Sequence, residues 1–239
     1  TMASEYLKKK YQDVKPDAPV ELTPAEKRKN WWYYNKWYVC AAAVLVVLVA
    51  GTVWRALHRV EPDYRVAYVG SLPLPDDAVA SLETALASLG EDLNGDGAVV
   101  VSLRQYVDSS SDTASIMAAQ VSLLADVSAQ ESFLFLLEDP EAFQQQYHTL
   151  CRLDGSLPEE GDNSTENSVL AWNACPVLRE LELGDYDYDI FGGIITGHTG
   201  DLYSRLYIGR RGFWVEDEDP GLRAGYTALW EKLTDGAAS

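Results

Sequence analysis

The stretch DLNGDG places Asp92, Asn94 and Asp96 at the first, third and fifth positions of a calcium-loop pattern, with Gly97 at the sixth. Alternate side-chain oxygens at that spacing turn toward one point, and the glycine permits the bend. The pattern then breaks. Its twelfth position, where such a loop carries a bidentate glutamate, is Leu103, and its ninth is Val100 within an apparent strand. Two readings stay open: a helix-to-strand turn whose Asp and Asn side chains cap backbone amides, or that turn with a weak calcium site. Calcium is the one cofactor the sequence raises.

Further along, DYDYD (185–189) sets Asp185, Asp187 and Asp189 on one side of an extended chain and Tyr186 and Tyr188 on the other. This is a solvated acidic edge or a surface for a cation or basic partner. Cys151 and Cys175 would close a loop of 24 residues if bridged, worth roughly 3 kcal/mol. Two buried thiols are the alternative, and Cys40 lies in an apolar run. The three histidines, His58, His148 and His198, form no metal pattern. His148 precedes Cys151 by three residues, a coincidence of one helix face. HExxH, paired CxxC, GxSxG, GxGxxG and the Walker loop are all missing, so no catalytic residue is assigned and a non-enzyme is expected. Arg210 and Arg211 stand together in a region poor in cations. They suit an acidic partner, a carboxylate ligand or the neutralisation of acidic surface.

The elements around these residues alternate. RVAYVG (65–70), AVVVSLRQYV (98–107) and SFLFLLED (132–139) read as strands. Segments 75–93, 112–129 and 140–150 read as helices, the first ended by Gly90, the second with Asp112 as its cap, the third opened by Pro140. A polar loop follows Cys151. CPVLRELEL reads as a short strand, DYDYDIFGGIITGHTGD as a hairpin, residues 202–214 as a strand and 219–234 as a closing helix. The fold class expected is α/β, a three-layer domain with a mostly parallel, mixed sheet.

Before that domain, WYVCAAAVLVVLVAGTVW (37–54) carries no charge over eighteen residues, close to the ~20 a bilayer core requires. Trp31, Trp32, Trp37, Tyr38 and Trp54 flank or bound it, as interfacial anchors do. Lys27, Arg28, Lys29 and Lys36 precede it, and Arg55 and Arg59 follow. The excess of cations on the N-terminal side puts that side in the cytoplasm. Thr23, Pro24 and Glu26 form a capping box that starts the helix. The expected organisation is a cytoplasmic tail (1–22), a juxtamembrane and transmembrane helix (23–58) and an extracellular α/β domain (62–239). Charge divides the same way. Residues 1–60 hold ten basic and five acidic residues, residues 61–239 nine and 32, a net of −23. Such a surface repels phosphate backbones and excludes nucleic-acid binding by the outer part. The partners expected are the lipid bilayer and a small molecule or protein outside the cell.

KRKNWWYYNKWYV, YRVAYVG, EDLNGDG, LLEDPEAFQQQY and RRGFW together resemble a group of uncharacterised single-pass membrane proteins from Gram-positive gut anaerobes. The outer part, from its βαβ start to the FLLEDPEAF step, is similar to one lobe of type II solute-binding proteins. That resemblance implies a membrane-anchored, non-catalytic ligand- or partner-binding module. A structural or assembly subunit of a cell-envelope complex is the alternative.

Overall fold

The computed structural model describes residues 23–57, 61–107, 113–159, 161–190, 193–213 and 219–237. His58, Asp112 and Trp214 lie outside them, as does the tail 1–22. The chain divides into two units, residues 1–59 and 60–239.

The first unit is helix α1 (Pro24–Leu57). Its start is the capping box: Thr23 donates its backbone N–H and hydroxyl to Glu26 at 2.9 and 2.8 Å. The segment Pro24–Trp54 is long and apolar enough to cross a membrane, with a mean hydropathy of 2.1 over its most apolar window. Trp31, Trp32, Trp37, Tyr38 and Trp54 are all exposed, as are Val44 through Val49. Lys36 lies 5.2 Å from the Tyr33 ring centre, a cation–π contact.

The second unit is α/β. Its elements run β1 (Tyr64–Gly70), α2 (Asp76–Leu89), β2 (Val101–Val107), α3 (Thr113–Ala129), β3 (Leu134–Leu137), α4 (Pro140–Tyr147), β4 (Val169–Ala171), α5 (Pro176–Arg179), β5 (Asp185–Ile190), β6 (Gly193–His198), α6 (Thr199–Tyr203), β7 (Tyr207–Arg210) and α7 (Pro220–Thr234). Five strands form a mixed sheet ordered β2-β1-β3-β7-β4. β1, β2 and β3 are parallel, and β7 runs antiparallel to both β3 and β4. β5 and β6 form a separate hairpin.

Strand alternation divides the core. Val66, Tyr68, Leu134, Leu136 and Ile208 join Leu82 and Leu86 of α2 and Leu229, Trp230 and Leu233 of α7 in one cluster. Ala67, Phe135 and Leu137, at the intervening positions, join Leu123 of α3 and Phe143 of α4 in a second. All four residues of β3 are buried, as a central strand requires. Each fully buried Leu or Phe contributes about 1.5–3 kcal/mol. α3 is tied down by a buried acid: Asp126 accepts the Tyr106 hydroxyl and, at 2.8 Å each, the Ser132 amide and hydroxyl.

Two elements differ from the expectation. CPVLRELEL is not a strand. Pro176 opens the four-residue helix α5, and the fifth strand comes from Val169–Ala171, directly after the polar loop. Residues 202–214 are not one strand either, because α6 ends at Tyr203 before β7 begins.

Candidate ligand-binding cleft

β2 and β3 lie on opposite sides of β1, so the chain reverses its direction of winding at this point. In open α/β sheets the space outside the carboxyl ends of strands at such a reversal is a crevice suited to ligands. Here that space is bounded by the end of β1, the β1–α2 loop and the residues after β3.

Glu138 follows β3 directly. Its Oε1 accepts from the Tyr68 hydroxyl at 2.8 Å. Its Oε2 accepts from the Ser71 amide at 2.8 Å and the Ser71 hydroxyl at 2.6 Å. Burial alone would raise its pKa, but the Ser71 and Tyr68 hydrogen bonds and the nearby Arg205 charge outweigh it and hold the carboxyl below its ordinary value. The approach is close enough to fix the residue at position 70. A Cβ on Gly70 would lie 2.3 Å from the Tyr68 hydroxyl and 2.8 Å from the Glu138 carboxyl carbon. Asp139 turns the chain into α4 by accepting from the Ala142 amide at 2.9 Å, with Pro140 in the first turn.

The loop Leu72–Pro75 is stiffened by two prolines and tied to β2: the Leu74 amide donates to Gln105 at 2.7 Å, and Gln105 donates back to the Leu74 carbonyl at 3.3 Å. Above it stand α6 and the hairpin. Tyr186 pairs with Gly197 and Tyr188 with Ile195. Tyr186 packs closely over the glycine opposite, where a Cβ would lie 2.7 Å from its hydroxyl. Between these walls is a cleft of about 660 Å³, lined by Leu72, Leu74, Tyr186, Tyr188, Ile195 and Leu202, with Glu138 and Arg205 as its charged groups. The volume is that of a small-molecule site. A smaller hollow of about 230 Å³ lies on the other side of Glu138, against Tyr106, Phe143 and Tyr147.

The residues singled out from the sequence lie elsewhere, apart from the tyrosines. Asp92, Asn94 and Asp96 form the α2–β2 loop, at the opposite ends of the parallel strands. Asp92 accepts from the Gly95 amide at 2.7 Å and the Gly97 amide at 2.8 Å; Asn94 accepts from Asp96, and Asp96 from Ala98. The Gly97 hydrogen bond, first among several, holds the Asp92 carboxyl below its usual value. Gly95 and Gly97 have φ of +74° and +90°, which the turn requires. A residue that sequence reasoning passed over organises the loop from below. Asp63, 3% exposed, accepts the amides of Leu93, Asn94 and Val100 at 2.8, 3.1 and 2.8 Å. Among the described residues no three His, Cys, Asp or Glu side chains converge to hold a metal.

The bridge between Cys151 and Cys175 is not formed. Both are free, buried thiols. Leu150 pairs with Arg211 at one end of β7, whereas Ala171 pairs with Tyr207 at the other. Four strand steps, about 13 Å, separate those ends of β7. Burial raises the pKa of each thiol. His148 caps α4 in the left-handed region, so it does not share a helix face with Cys151. On the hairpin, Asp185 lies 2.7 Å from His198 and Asp187 accepts from Thr196 at 2.6 Å, while the intervening tyrosines face the cleft. Arg210 and Arg211 are interior, not surface: they are 5% and 3% exposed. Arg210 lies 5.0 Å from the Trp230 ring centre and donates to the Leu153 carbonyl at 3.0 Å. Arg211 lies 5.4 Å from the Phe213 ring and donates to Gln130 at 3.1 Å.

Glu138, Ser71 and Arg205 were not picked out from the sequence. The signal for the first two was present: Glu138 ends the apolar run of β3 and Ser71 follows β1, where the carboxyl ends of adjacent parallel strands meet. Comparison with protein families, with curated protein sequences and with solved structures gives no match to this chain.

Proposed function

We propose that the chain is a membrane-anchored, non-catalytic module that binds a ligand or partner outside the cell through the cleft beside Glu138. The observation that carries this reading is the cleft itself: an apolar space of about 660 Å³ at the reversal point of the sheet, with a few polar groups at its edge. The two core clusters support the three-layer arrangement, with α2 and α7 on one face of the sheet and α3 and α4 on the other. The βαβαβ order from β1 to β3 supports the likeness to one lobe of a type II solute-binding protein. Glu138 is held ionised, which makes it a poor proton acceptor near neutral pH and favours recognition over acid–base chemistry.

Anchoring rests on α1 and its exposed aromatic belt, and the orientation on the cations that precede the apolar stretch. A ligand-observed NMR screen tests the cleft. Hits should be lost when Leu202→Trp fills it. Hits indifferent to that change, or no hits at all, would remove the reading. Protease added to intact cells should digest residues 60–239, and their protection would reverse the topology.

A second reading has one observation in its favour. Met117, Val121 and Leu124 recur at helical spacing on α3 and are 60%, 65% and 55% exposed. An apolar stripe of that kind suits a subunit of an envelope assembly.

A further inference from the structure

The two charged groups of the cleft are not equivalent. Three donors already sit on Glu138, which uses most of the lone-pair sites of a carboxylate. Arg205 lines the same cleft, and among the described residues it has neither a hydrogen-bond partner nor an ion pair; Glu138 acts on it through space. A guanidinium carries five donors in a rigid fork that fits a carboxylate. Residues 61–239 offer 32 acidic side chains for nine basic ones. A scarcity of carboxylates therefore does not explain a cation left beside Leu202, Ile195 and two tyrosine rings.

We infer that Arg205 anchors the anionic head of a ligand with an apolar body, a monocarboxylic acid carrying an aromatic or branched aliphatic chain. This rests on the cleft being the ligand site. The body lies against Leu72, Leu202 and Ile195, and the rings of Tyr186 and Tyr188 supply flat apolar faces. One negative charge is the fitting number. The net charge of −23 repels anions at long range. A polyanion meets that field with a single cation in the cleft to offset it, whereas a monoanion gains both the guanidinium and burial of its chain.

The test is calorimetric titration of the full chain in phosphatidylcholine nanodiscs, with empty discs as the blank. The probes are 3-phenylpropionate, indole-3-acetate, the primary amide of each, and phenethylamine. The acids should bind at least about tenfold more tightly than their amides, since a charge-assisted pair is replaced by a neutral one. Arg205→Gln should abolish that preference while leaving weak amide binding, and Arg205→Lys should keep part of it. Circular dichroism and melting temperature of both variants should match the parent, as expected for an exposed side chain. Equal or tighter binding of the amides or the amine would overturn the anchor and leave the cleft standing. So would an acid preference that survives Arg205→Gln. No heat from any probe up to about 10 mM, the weak limit of useful affinity, would remove the cleft and the anchor together.

Discussion

Replacing Glu138 by glutamine removes the charge and leaves one oxygen where two accept hydrogen bonds. In the parent, Oε1 takes the Tyr68 hydroxyl and Oε2 takes both the amide and hydroxyl of Ser71. The amide oxygen can keep one side of this arrangement. Its NH₂ group then faces the donors of the other, and at least one bond is lost. Hydrogen bonds to a charged group are worth about 1.5–3 kcal/mol when well formed. Glu138 is exposed at the cleft edge, so solvent reduces the loss to about 1–2 kcal/mol. For a unit of this size that is a fall of about 2–8 °C in melting temperature.

The pH dependence gives a second, independent reading of the same contact. The Glu138 carboxyl titrates below its ordinary 4.5. The folded state therefore binds its proton less tightly than the unfolded chain does. The stabilisation is complete above the unfolded value and is lost as pH falls through the folded one. A glutamine side chain does not titrate, so the gap between the parent and Glu138→Gln should be widest near pH 7 and should close as the pH drops well below 4.5. Thermal melts of the 60–239 unit, followed by circular dichroism from about pH 7 to about pH 3, measure both effects. Equal melting temperatures at neutral pH would refute the hydrogen-bond argument. A gap that stays constant to the acid end of the range would refute the assignment to the ionised carboxylate.

Asp63→Ala should lower stability more, by about 2–4 kcal/mol, because it orphans the amides of Leu93, Asn94 and Val100 around a buried site; chemical denaturation of the 60–239 unit reads this directly. Both oxygens of Asp92 face backbone amides. Addition of about 5 mM calcium should therefore leave the melting temperature unchanged; a rise that Asp92→Ala and Asp96→Ala abolish would instead establish a weak cation site. Cys151 and Cys175 are buried with raised thiol pKa values. A chromogenic disulfide reagent should react slowly with the native 60–239 unit and find both thiols at once after unfolding without reductant, where a bridge would leave neither free.

What the sequence made legible was local. Gly90 ends α2, and Pro140 starts α4; each signal acts within one helical turn of the residue that carries it. The tyrosine–aspartate alternation of the hairpin was also readable, because a period of two follows from an extended chain whatever it pairs with. The order of β7 and β4 was not readable. β4 has only three residues, directly after a polar stretch, and its identity depends on pairing with β7 some 40 positions away. Arg210 and Arg211 show the same limit. As letters they are surface cations. Their burial depends on ring faces from Trp230, Tyr226 and Phe213 arriving beside them, a coincidence of α7 and the sheet that no local pattern announces. Arg205 escaped notice for the converse reason: its character lies in the partner it lacks among the described residues.

The two ends of the parallel strands use one device for different purposes. At the amino ends, the carboxylate of Asp63 gathers three amides in a buried site. At the carboxyl ends, Glu138 gathers an amide and two hydroxyls, but it stands in the open, between hollows of about 660 and 230 Å³. If the first carboxylate serves the fold and the second also shapes a recognition surface, their removal should separate. Asp63→Ala should lower the melting temperature by about 5–15 °C, from the lost amide partners, and leave the affinity for a cleft ligand within about twofold at temperatures where it is folded. Glu138→Ala should cost less stability and more affinity for an uncharged cleft ligand, because it releases Ser71 and the β1–α2 loop that forms one wall of the cleft. Equal losses of affinity in the two variants would show that the cleft merely reports global stability, and the division of labour between the two edges would fall.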